Sequence, residues 1–562
     1  MNEIALKICV DCPEKNSGQT EKILNCRAGI CGEELIDCFE SLPGTLAAVK
    51  INNEIFSLAS GIDINADVEP VMLESPEGSG IYRRSLAFLL AIAARELFPD
   101  KRLYIGHSLG HSYYYTFIKG KKPKSAEIKL LADRMRELAA KDIKITNRYM
   151  AYAEALELFE KNGQKDTAHL LDERNESKVR VNECNGFIDL YIAPLLHRTG
   201  LLTTFELMPY KDGFLLRFPS TGKLDIIEPF EDMPLLFEVY NEYKKWGRIV
   251  GVHSVGMLNR MISDRTIRDY IRTAEAFQEK RLAEIADQIY GKKDSVKTIL
   301  IAGPSSSGKT TTAKRLSIAL KVMGIEPIAI GLDDYYLGTD HTPKDEKGQP
   351  DFECLEALDI PYLNEQLLSL LAGEAVTLPS FDFKSGRRRE SGGKTIRLER
   401  RTMLIIEGIH GLNDALTLQI ARETKFKLYV SALTQLNLDD HNRIPTSDNR
   451  LLRRMVRDYQ FRGAAAERTL QMWPSVQSGE KKHIFPFQNN ADAAFNSALD
   501  YELAVLKFFA EPLLHTVKPR MKEYSEAARL LAFLENFKPI PSQYVPSQSI
   551  LREFIGDSEF KY

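Results

Sequence analysis

The chain has 562 residues, of which 44% are hydrophobic and 27% are charged. This composition is typical of folded globular proteins and excludes a wholly disordered chain. With 75 Lys and Arg residues against 78 Asp and Glu residues, the formal net charge is −3. A near-neutral chain lacks the bulk charge to coat nucleic acid or an anionic membrane. At ~150 residues per domain, the length predicts roughly three or four domains.

Membrane and secretion signals are absent from the sequence pattern. No stretch reaches the ~18 consecutive apolar residues that cross a bilayer. The best candidate, Leu86–Ala94, is closed by Arg95 and Glu96 and is typical of a buried helix. The N-terminal residues lack the basic segment and long apolar core of a secretory signal. We therefore expect a cytoplasmic protein with no membrane partner.

The seven cysteines are too few for a disulfide framework in a chain of this length. Cys9 and Cys12, followed by Cys26 and Cys31, have a spacing that a zinc site could use. However, a strand continued from residues 4–10 places Cys9 and Cys12 on opposite faces. The pattern favours reduced structural thiols, and zinc remains the alternative.

Residues 1–72 have the pattern of a small α/β module. Asn52 and Asn53 separate two strand-like runs and predict a hairpin turn. The predicted strands are Ile4–Val10, Ala47–Ile51 and Val68–Leu73, and a helical segment is predicted near Cys31–Glu40.

The next part of the chain is predicted to be mixed α/β and then helical. The segment Glu74–Gly80 is rich in Gly, Ser, Pro and Glu and predicts a linker before residues 80–240. Residues 253–290 predict a charged helical connector, in which Lys280 and Glu284 can pair at a spacing of four. We expect this connector to be a solvated rigid arm.

From residue 296 onward, short apolar strands alternate with helices, which is typical of a parallel sheet buried on both faces. Between a predicted strand and a predicted helix, Gly303–Thr310 fits the pattern G-x-x-x-x-G-K-[ST]. Such a loop wraps backbone N–H groups around phosphate, while Lys309 reaches the β- and γ-phosphates and Thr310 ligates Mg²⁺. The predicted ATP-binding residues are Gly303, Pro304, Ser305, Ser306, Ser307, Gly308, Lys309, Thr310 and Thr311.

Two carboxylates are predicted at the edge of this sheet. Asp333 follows the strand Ile328–Leu332, and Glu407 follows the strand Leu404–Ile406. Ligands of open α/β sheets bind beyond the carboxyl ends of the strands. Carboxylates there can hold Mg²⁺ and accept a proton from an attacking hydroxyl. An acidic turn or helix cap is the alternative for Asp333.

A run of arginines follows, with spacings of three and four that place most of them on one helix face. A solvated basic helix is one interpretation. A lid that closes over phosphates and neutralises transition-state charge is the other. The arginines are Arg450, Arg453, Arg454, Arg457 and Arg462.

Six motifs occur in the order and spacing of the uridine–cytidine kinase and phosphoribulokinase family, which residues 296–510 resemble. They are GPSSSGKTT, DDYY, FDFKSGRR, LIIEGIHGL, RRMVRDYQFRG and FPFQNNAD. The resemblance implies a kinase that uses ATP with Mg²⁺ as its cofactor. It implies that Asp333 is the general base for a nucleoside 5′-hydroxyl, and that Lys309, Arg457 and Arg462 act on the phosphates as further catalytic residues.

The same resemblance implies the metal and substrate residues. The implied Mg²⁺ partners are Thr310, Glu407 and Asp333. The implied substrate-binding residues are Tyr336, Glu353, Phe381, Phe383 and Gly386.

Three of these positions depart from the family pattern. Glu353 stands where the kinases carry an Asp that binds the ribose hydroxyls. Phe381 and Gly386 stand where they carry Tyr and His, which read the pyrimidine base. Because both polar groups are lost, pyrimidine specificity does not follow, whereas phosphoryl transfer does.

An inserted stretch at residues 432–445 has no counterpart in the short kinases. It either reshapes the acceptor pocket or forms a surface loop. Its candidate polar contacts are Asp439, Asp440, His441, Asn442 and Arg443.

The front half resembles two modules of threonyl-tRNA synthetases. Residues 47–71 resemble the TGS domain, a small β-grasp module, and the stretch from residue 80 resembles the domain that edits mischarged tRNA. The editing site of those enzymes uses His-x-x-x-His and Cys-x-x-x-His. Here Arg84, Phe88, Tyr191 and Leu195 occupy the four positions. These side chains cannot carry imidazole and thiol chemistry, so we expect no editing activity.

Three other features have plain interpretations. His107 and His111 lie four residues apart without an obvious third ligand, so structural or solvent-facing roles are favoured over zinc. Tyr113–Tyr115 predicts a core strand rather than an RNA-stacking surface. The basic residues Lys119–Lys124 form an exposed loop or touch RNA phosphate.

The predicted fold is multidomain α/β. Its predicted parts are a TGS-like β-grasp domain at 1–72, an α+β editing-like domain with a degenerate site at 73–245, a helical connector at 246–294, a P-loop α/β kinase domain with a parallel sheet and helices on both faces at 295–535, and a surface tail at 536–562.

The leading functional prediction is transfer of the γ-phosphoryl group of ATP to a hydroxyl of a small molecule, with a nucleoside 5′-hydroxyl favoured. One alternative keeps this chemistry on a non-pyrimidine nucleoside or another small alcohol. Another is an RNA-binding regulator with a P-loop ATP switch. The net charge of −3 weakens tRNA as a partner. Homo-oligomerisation is left open, and the front domains are expected to serve oligomerisation or substrate gating.

Overall fold

The computed structural model describes residues 3–10, 20–39, 42–118, 122–338, 340–344, 348, 351–382, 387–389 and 393–561. Cys12, Phe383 and Gly386, which carry predictions, lie outside these residues, as does the 119–121 part of the basic patch. Within the described ranges, none of the helices is long and apolar enough to cross a bilayer.

The first unit is a mixed sheet around a short 3-10 helix, Gly32–Phe39. Its strands are β1 (Glu3–Val10), β2 (Thr20–Arg27), β3 (Ile30–Cys31), β4 (Leu46–Ile51), β5 (Glu54–Ser57), β6 (Gly61–Ile62) and β7 (Ala66–Met72). The main sheet has the order β2-β1-β7-β4-β5, with β1 parallel to β7. Asn52 and Asn53 have φ values of 51° and 63°, which a two-residue hairpin turn requires. The predicted hairpin is confirmed.

The second unit packs helices against two antiparallel sheets. It contains α1 (Pro76–Leu97), β8 (Arg102–Ser108), β9 (Ser112–Ile118), α2 (Ser125–Ala140), β10 (Thr146–Ala151), α3 (Tyr152–Lys161), α4 (Lys165–Asp172), β11 (Lys178–Cys184), β12 (Phe187–Asp189), β13 (Glu206–Tyr210) and β14 (Gly213–Arg217). The sheets have the orders β13-β14-β9-β8 and β10-β11-β12. The core strand predicted at Tyr113–Tyr115 is confirmed, since Tyr114 and Tyr115 are buried in β9.

The linker predicted at Glu74–Gly80 is wrong. Helix α1 already begins at Pro76, and Ser75 caps it by accepting a hydrogen bond from the Gly78 N–H at 3.0 Å. Serine at the cap and proline at the first helical position both favour a helix start. The composition of a helix N-terminus therefore resembles that of a linker here.

The charged connector is not a solvated arm. It consists of α6 (Val255–Ser263) and α7 (Ile267–Gly291), preceded by α5 (Pro234–Ile249). The predicted Lys280–Glu284 pair forms at 3.9 Å on one side of α7. The other side buries Ile271, Leu282 and Ile289 in the core of the following domain. Apolar positions with a 3.6-residue period thus indicate a packed face, even in a strongly charged helix.

The next domain is a parallel sheet with helices around it. Its elements are β15 (Thr298–Ala302), α8 (Lys309–Val322), β16 (Glu326–Gly331), α9 (Ile360–Leu371), β17 (Ala375–Thr377), β18 (Ser380–Asp382), β19 (Arg387–Arg389), β20 (Thr395–Arg397), β21 (Thr402–Glu407), β22 (Lys425–Ser431), α10 (Thr446–Arg462), α11 (Ala466–His483), β23 (Ala493–Asn496) and α12 (Glu502–Leu514). The parallel sheet has the order β16-β21-β15-β22-β23. Every residue of the central strand β15 is buried, so the predicted parallel sheet buried on both faces is confirmed.

The chain ends with α13 (Tyr524–Leu534) and α14 (Arg552–Ile555). The tail does not lie along the surface as predicted. Ile550, Leu551 and Phe554 are buried in the same hydrophobic cluster as β15. The segment that precedes them is rich in Pro and Ser, which favoured a surface position, whereas their burial depends on a surface that only the folded domain provides.

The inserted stretch 432–445 joins this domain to the second unit. Asn437 Nδ2 donates to the Ile105 carbonyl at 2.7 Å, and Asp440 Oδ2 accepts from the Asp166 N–H at 2.9 Å. Both side chains are at least 97% buried. The surface-loop interpretation is therefore wrong, because the stretch forms the interface between two units.

Candidate active site

The phosphate-binding loop lies between β15 and α8 in a conformation that favours glycine. A Cβ atom at Gly303 would lie 1.9 Å from the Val430 carbonyl oxygen, and Gly308 has a φ of +79°. Ser306 also has a positive φ, of 58°. Successive N–H groups and the start of a helix make this loop an anion site.

Two residues at the start of α8 connect the loop to its surroundings. Lys309 Nζ donates to the Gly303 carbonyl at 2.9 Å and the Pro304 carbonyl at 3.1 Å. Thr310 Oγ1 donates to Glu407 Oε1 at 2.8 Å. Burial lowers the pKa of Lys309, and the carboxylates of Glu407 and Asp333 oppose that shift. The predicted lysine, threonine and two carboxylates therefore meet at one place.

Burial raises the pKa of the two carboxyl groups predicted beside this loop. The pKa of Glu407 is raised to about 7, and Lys309 opposes the shift. The Asp333 side chain is exposed, yet the surrounding protein reduces its solvation and raises its pKa, and Lys309 opposes the shift. Glu407 Oε2 is buried and has no hydrogen-bond partner among the described residues. Carboxylate and hydroxyl oxygens suit Mg²⁺, so Glu407, Thr310 and Asp333 fit that ion.

Two carboxylates that the sequence did not single out accept hydrogen bonds from N–H groups of the loop. Glu480 of α11 accepts from the Ser305 N–H at 2.9 Å. Glu553 of α14 accepts from the Thr311 N–H at 3.1 Å and from the Thr311 hydroxyl at 2.5 Å. Both carboxylates therefore bind positions that the sequence assigns to ATP phosphates. No sequence motif surrounds Glu480 or Glu553.

Three arginines of α10 dock that helix on the loop. Arg450 donates to the Ser305 carbonyl at 3.1 Å, and Arg454 donates to Ser305 Oγ at 2.8 Å. Arg453 donates to the Ser306 carbonyl at 3.3 Å. The interpretation of a solvated basic helix is therefore wrong for this face.

The two arginines predicted to clamp phosphates lie at the other end of α10. Arg457 Nη2 and Arg462 Nη1 contact Asp458 Oδ1 at 2.7 and 3.6 Å. Arg462 is also close enough to Asp333 for its charge to favour the ionised form of that carboxyl. Arg457 and Arg462 therefore remain predicted ligands, whereas Arg450, Arg453 and Arg454 already touch the loop.

Aromatic side chains line the predicted acceptor side. The rings of Tyr336 and Phe381 lie 5.7 Å apart, and Phe352 packs on Tyr336 at 5.6 Å. The Tyr336 hydroxyl donates to the Phe352 carbonyl at 3.0 Å, and the Phe381 N–H donates to Asp334 Oδ1 at 3.1 Å. Phe352 and Asp334 are contributors that sequence reasoning did not assign, although each adjoins a predicted residue.

Glu353 lies on this side too, packed against α11. A Cβ atom at Gly479 would lie 2.9 Å from the Glu353 side chain, so glycine there permits the close approach. Burial and the neighbouring Glu480 raise the pKa of Glu353 to about 7, while Arg454 and Lys309 oppose the shift. Glu353 therefore shares the electrostatic environment of the phosphate-binding loop.

The four positions that correspond to an editing site come together in the second unit. The Phe88 and Tyr191 rings are 5.7 Å apart in an edge-on arrangement, and Leu195 is buried beside them in one core cluster. Arg84 donates to the Pro194 carbonyl at 3.2 Å. Two aromatic rings, a leucine and a partly buried arginine thus occupy the four positions.

Comparison with known proteins identifies the two parts of the chain separately. Residues 298–504 match the model of the Phosphoribulokinase / Uridine kinase family. This C-terminal part is therefore a P-loop domain of that family. Similar solved structures include a protein described as a possible uridine kinase from Bacillus stearothermophilus, at 21% identity over 39% of this chain and 98% of that chain, with a TM-score of 0.25. A D-glycerate 3-kinase from Cryptococcus neoformans is 14% identical over 45% of this chain and 87% of that chain, with a TM-score of 0.22.

The N-terminal region matches threonine–tRNA ligases. The ligase of Burkholderia multivorans is 33% identical over 160 residues, which are 28% of this chain and 25% of the ligase. The ligase of Francisella tularensis subsp. novicida is 28% identical over 180 residues, which are 31% of this chain and 28% of the ligase. The chain thus spans about a quarter of the length of these relatives.

Proposed function

We propose that the chain is a kinase that transfers the γ-phosphoryl group of ATP, with Mg²⁺, to a hydroxyl of a small molecule. The observation that carries the proposal is the meeting of Lys309, Thr310, Glu407 and Asp333 beyond the carboxyl ends of parallel strands. Phosphoryl transfer needs positioned cations and a proton acceptor more than covalent chemistry from the protein. This set supplies both.

Each residue has a proposed role in the transfer. Lys309 and the loop N–H groups bind the β- and γ-phosphates, and Thr310 and Glu407 would hold Mg²⁺, which neutralises phosphate charge when bound. Asp333 accepts the proton of the acceptor hydroxyl while the oxygen of that hydroxyl bonds to the γ-phosphorus. The bond between that phosphorus and the bridging oxygen breaks, and ADP leaves with the electron pair. Arg457 and Arg462 close over the phosphates.

We propose a nucleoside as the acceptor, phosphorylated on its 5′-hydroxyl. Tyr336, Phe352 and Phe381 form an aromatic wall on which a base could pack. In this proposal Glu353 binds the sugar hydroxyls. Because position 381 is Phe, the wall has no tyrosine hydroxyl there to bond to a base. It therefore supports no preference for pyrimidines. The non-pyrimidine nucleoside therefore stays as an alternative acceptor within this chemistry.

The division into five parts at 1–72, 73–245, 246–294, 295–535 and 536–562 is part of the proposal. In it, the synthetase-like parts are catalytically silent and serve the kinase domain. The aromatic and aliphatic side chains at Phe88, Tyr191 and Leu195 support this, because they leave no imidazole or thiol for editing.

The test is ADP release from ATP and Mg²⁺ against a panel of nucleosides and small alcohols. We expect stimulation by one acceptor class and its loss in Asp333→Asn. ATP turnover that ignores every acceptor would contradict the kinase and favour an RNA-linked ATP switch. Salt-sensitive retention of tRNA would then be the next measurement.

A further inference from the structure

A cavity of about 940 Å³ lies between the second unit and the P-loop domain. One wall includes Arg83 and His107, and the opposite wall includes Pro304, Arg450 and Lys481. Asp333, Glu353 and Glu407 do not line it. On α11, Gly479 packs against Glu353, whereas Gln477 and Lys481 face the cavity. The cavity is therefore separate from the proposed acceptor side.

The lining carries more unpaired positive than unpaired negative charge, since Glu231 is its one carboxylate without an ion pair among the described residues. Arg83, Arg443 and Lys481 form no ion pair within the described part of the chain. Of the lining carboxylates, Glu228 is 3.1 Å from Lys223, and Glu480 is 2.8 Å from Arg450. Burial and then Arg443 depress the pKa of His107. Burial, Arg83 and, least, Lys481 depress the pKa of His111, while Glu228 opposes that shift. The cations thus act across the same space.

Buried polar atoms along the lining lack partners. His107 is 5% exposed and Arg450 is 4% exposed, yet His107 Nδ1 and Arg450 Nε have no hydrogen-bond partner in the described residues. Thr446 Oγ1 is also buried and unpartnered. Unsatisfied buried polar atoms are rare and costly, so these groups favour a ligand that can bond to them.

We propose that this cavity binds a phosphate ester of a small organic molecule, a binding site that goes beyond the proposed transfer reaction. Thr446 and Ser447 begin the 17-residue helix α10, and both line the cavity. The first N–H groups of a helix have no partner inside the helix and favour a phosphate group. Arg83, Arg443 and Lys481 supply the charge that a dianion needs.

The remaining lining fits the carbon skeleton of such an ester. Phe230, Leu236, Tyr429 and Phe485 contribute apolar and aromatic surface. The volume lies in the range of ~300–1,000 Å³ that small-molecule sites occupy. Apolar walls with a few convergent polar groups orient a small molecule better than they hold a free inorganic ion.

Equilibrium binding of ribose 5-phosphate to the full chain tests the proposal. Inorganic phosphate and ribose are titrated separately, to show which part of the ester the cavity binds. The variants are Lys481→Gln, Arg443→Gln and their double variant. Arg468→Gln is the matched control, because Arg468 is an exposed residue of the same helix that does not line the cavity. Lys309→Gln weakens phosphate binding at the phosphate-binding loop and leaves the cavity lining unchanged, so it separates the two sites. Thermal unfolding without ligand checks that each variant folds.

We expect wild type, Arg468→Gln and Lys309→Gln to bind ribose 5-phosphate alike. The double variant should bind at least about tenfold more weakly, since each charged hydrogen bond contributes substantially to anion binding. Absence of binding to wild type would overturn the proposal. So would binding that Lys309→Gln abolishes and the double variant retains, because the phosphate would then occupy the ATP loop.

Discussion

Asp333 is the single residue on which the proposed transfer depends most directly. We expect Asp333→Asn to bind ATP normally and to transfer the phosphoryl group about 10²- to 10⁴-fold more slowly, because a positioned base contributes that much. Single-turnover transfer and a separate ATP-binding titration measure the two effects.

The neighbouring Asp334 provides the matched control. Its Oδ1 accepts the Phe381 N–H at 3.1 Å, and asparagine keeps an acceptor oxygen. Asp334→Asn should therefore retain most of the rate. Normal turnover by Asp333→Asn would show that another group takes the proton.

Glu353 gives a prediction about pH. Its pKa is raised to about 7 by burial and by Glu480, so it is half ionised near neutrality. An ionised carboxylate accepts stronger hydrogen bonds from sugar hydroxyls than a neutral one. We expect the KM for the acceptor to fall as the pH rises from 6 to 8 at saturating ATP and Mg²⁺.

Glu353→Gln should remove this dependence of KM on pH, while Glu356→Gln, at an exposed neighbouring position, should keep it. Because Asp333 acts on the transfer step, its ionisation is seen in kcat instead. A pH profile of KM that is the same in wild type and Glu353→Gln would show that ionisation of Glu353 does not govern acceptor binding.

At the scale of elements, local patterns predicted the parts of the site that are local in the chain. The loop at Gly303–Thr310 and the strand ends at Asp333 and Glu407 depend on neighbouring residues, and each lies where the pattern places it. Glu553 could not be found in this way, because it meets a residue 242 positions away. The 3.6-residue spacing of apolar residues in α7 is visible in the sequence. The many charged residues of the helix nevertheless favoured the interpretation of a solvated arm.

Helix α14 therefore yields a prediction of its own. Glu553 occupies the Thr311 N–H and hydroxyl, where an ATP phosphate is expected to bind. A carboxylate at a helix N-terminus contributes about 0.3–1 kcal/mol, so its removal should lower the KM for ATP roughly two- to fivefold. Steady-state kinetics of Glu553→Gln measure this, with the exposed Glu559→Gln as the control. A higher KM would mean that Glu553 supports the ATP site instead of competing for it.

At the scale of the whole molecule, residues 432–445 connect the synthetase-like part to α10, the helix that docks on the phosphate-binding loop. His441 Nδ1 lies 2.8 Å from Asp189 Oδ2, and Arg102 contacts both Asp166 and Asp440. The sequence predicted polar contacts here but placed them at an acceptor pocket or on the surface. A partner from a separate domain leaves no local pattern, so the interface could not be predicted from the insertion alone.

This interface should make the stability of the full chain depend on pH. Although burial opposes it, the carboxylate of Asp189 raises the pKa of His441 to about 9, above its ordinary value of 6.5. A raised pKa in the folded state means that the stabilisation is complete below pH 6.5 and is lost as the pH rises through 9. The buried Asp439 changes the stability with pH in the same direction, because burial and Asp189 raise its pKa to about 8.

We therefore expect the difference in unfolding midpoint between wild type and His441→Asn to shrink between pH 6.5 and 9.5, since asparagine can bond to Asp189 without titrating. The charged groups that act on His441 are Asp189 of the second unit and Asp439 and Asp440 of the inserted stretch. His515→Asn, at an exposed position, controls for histidine titration elsewhere. A difference that is constant across this range would show that His441 is neutral at the interface, and that hydrogen bonds rather than an ion pair hold the two units together there.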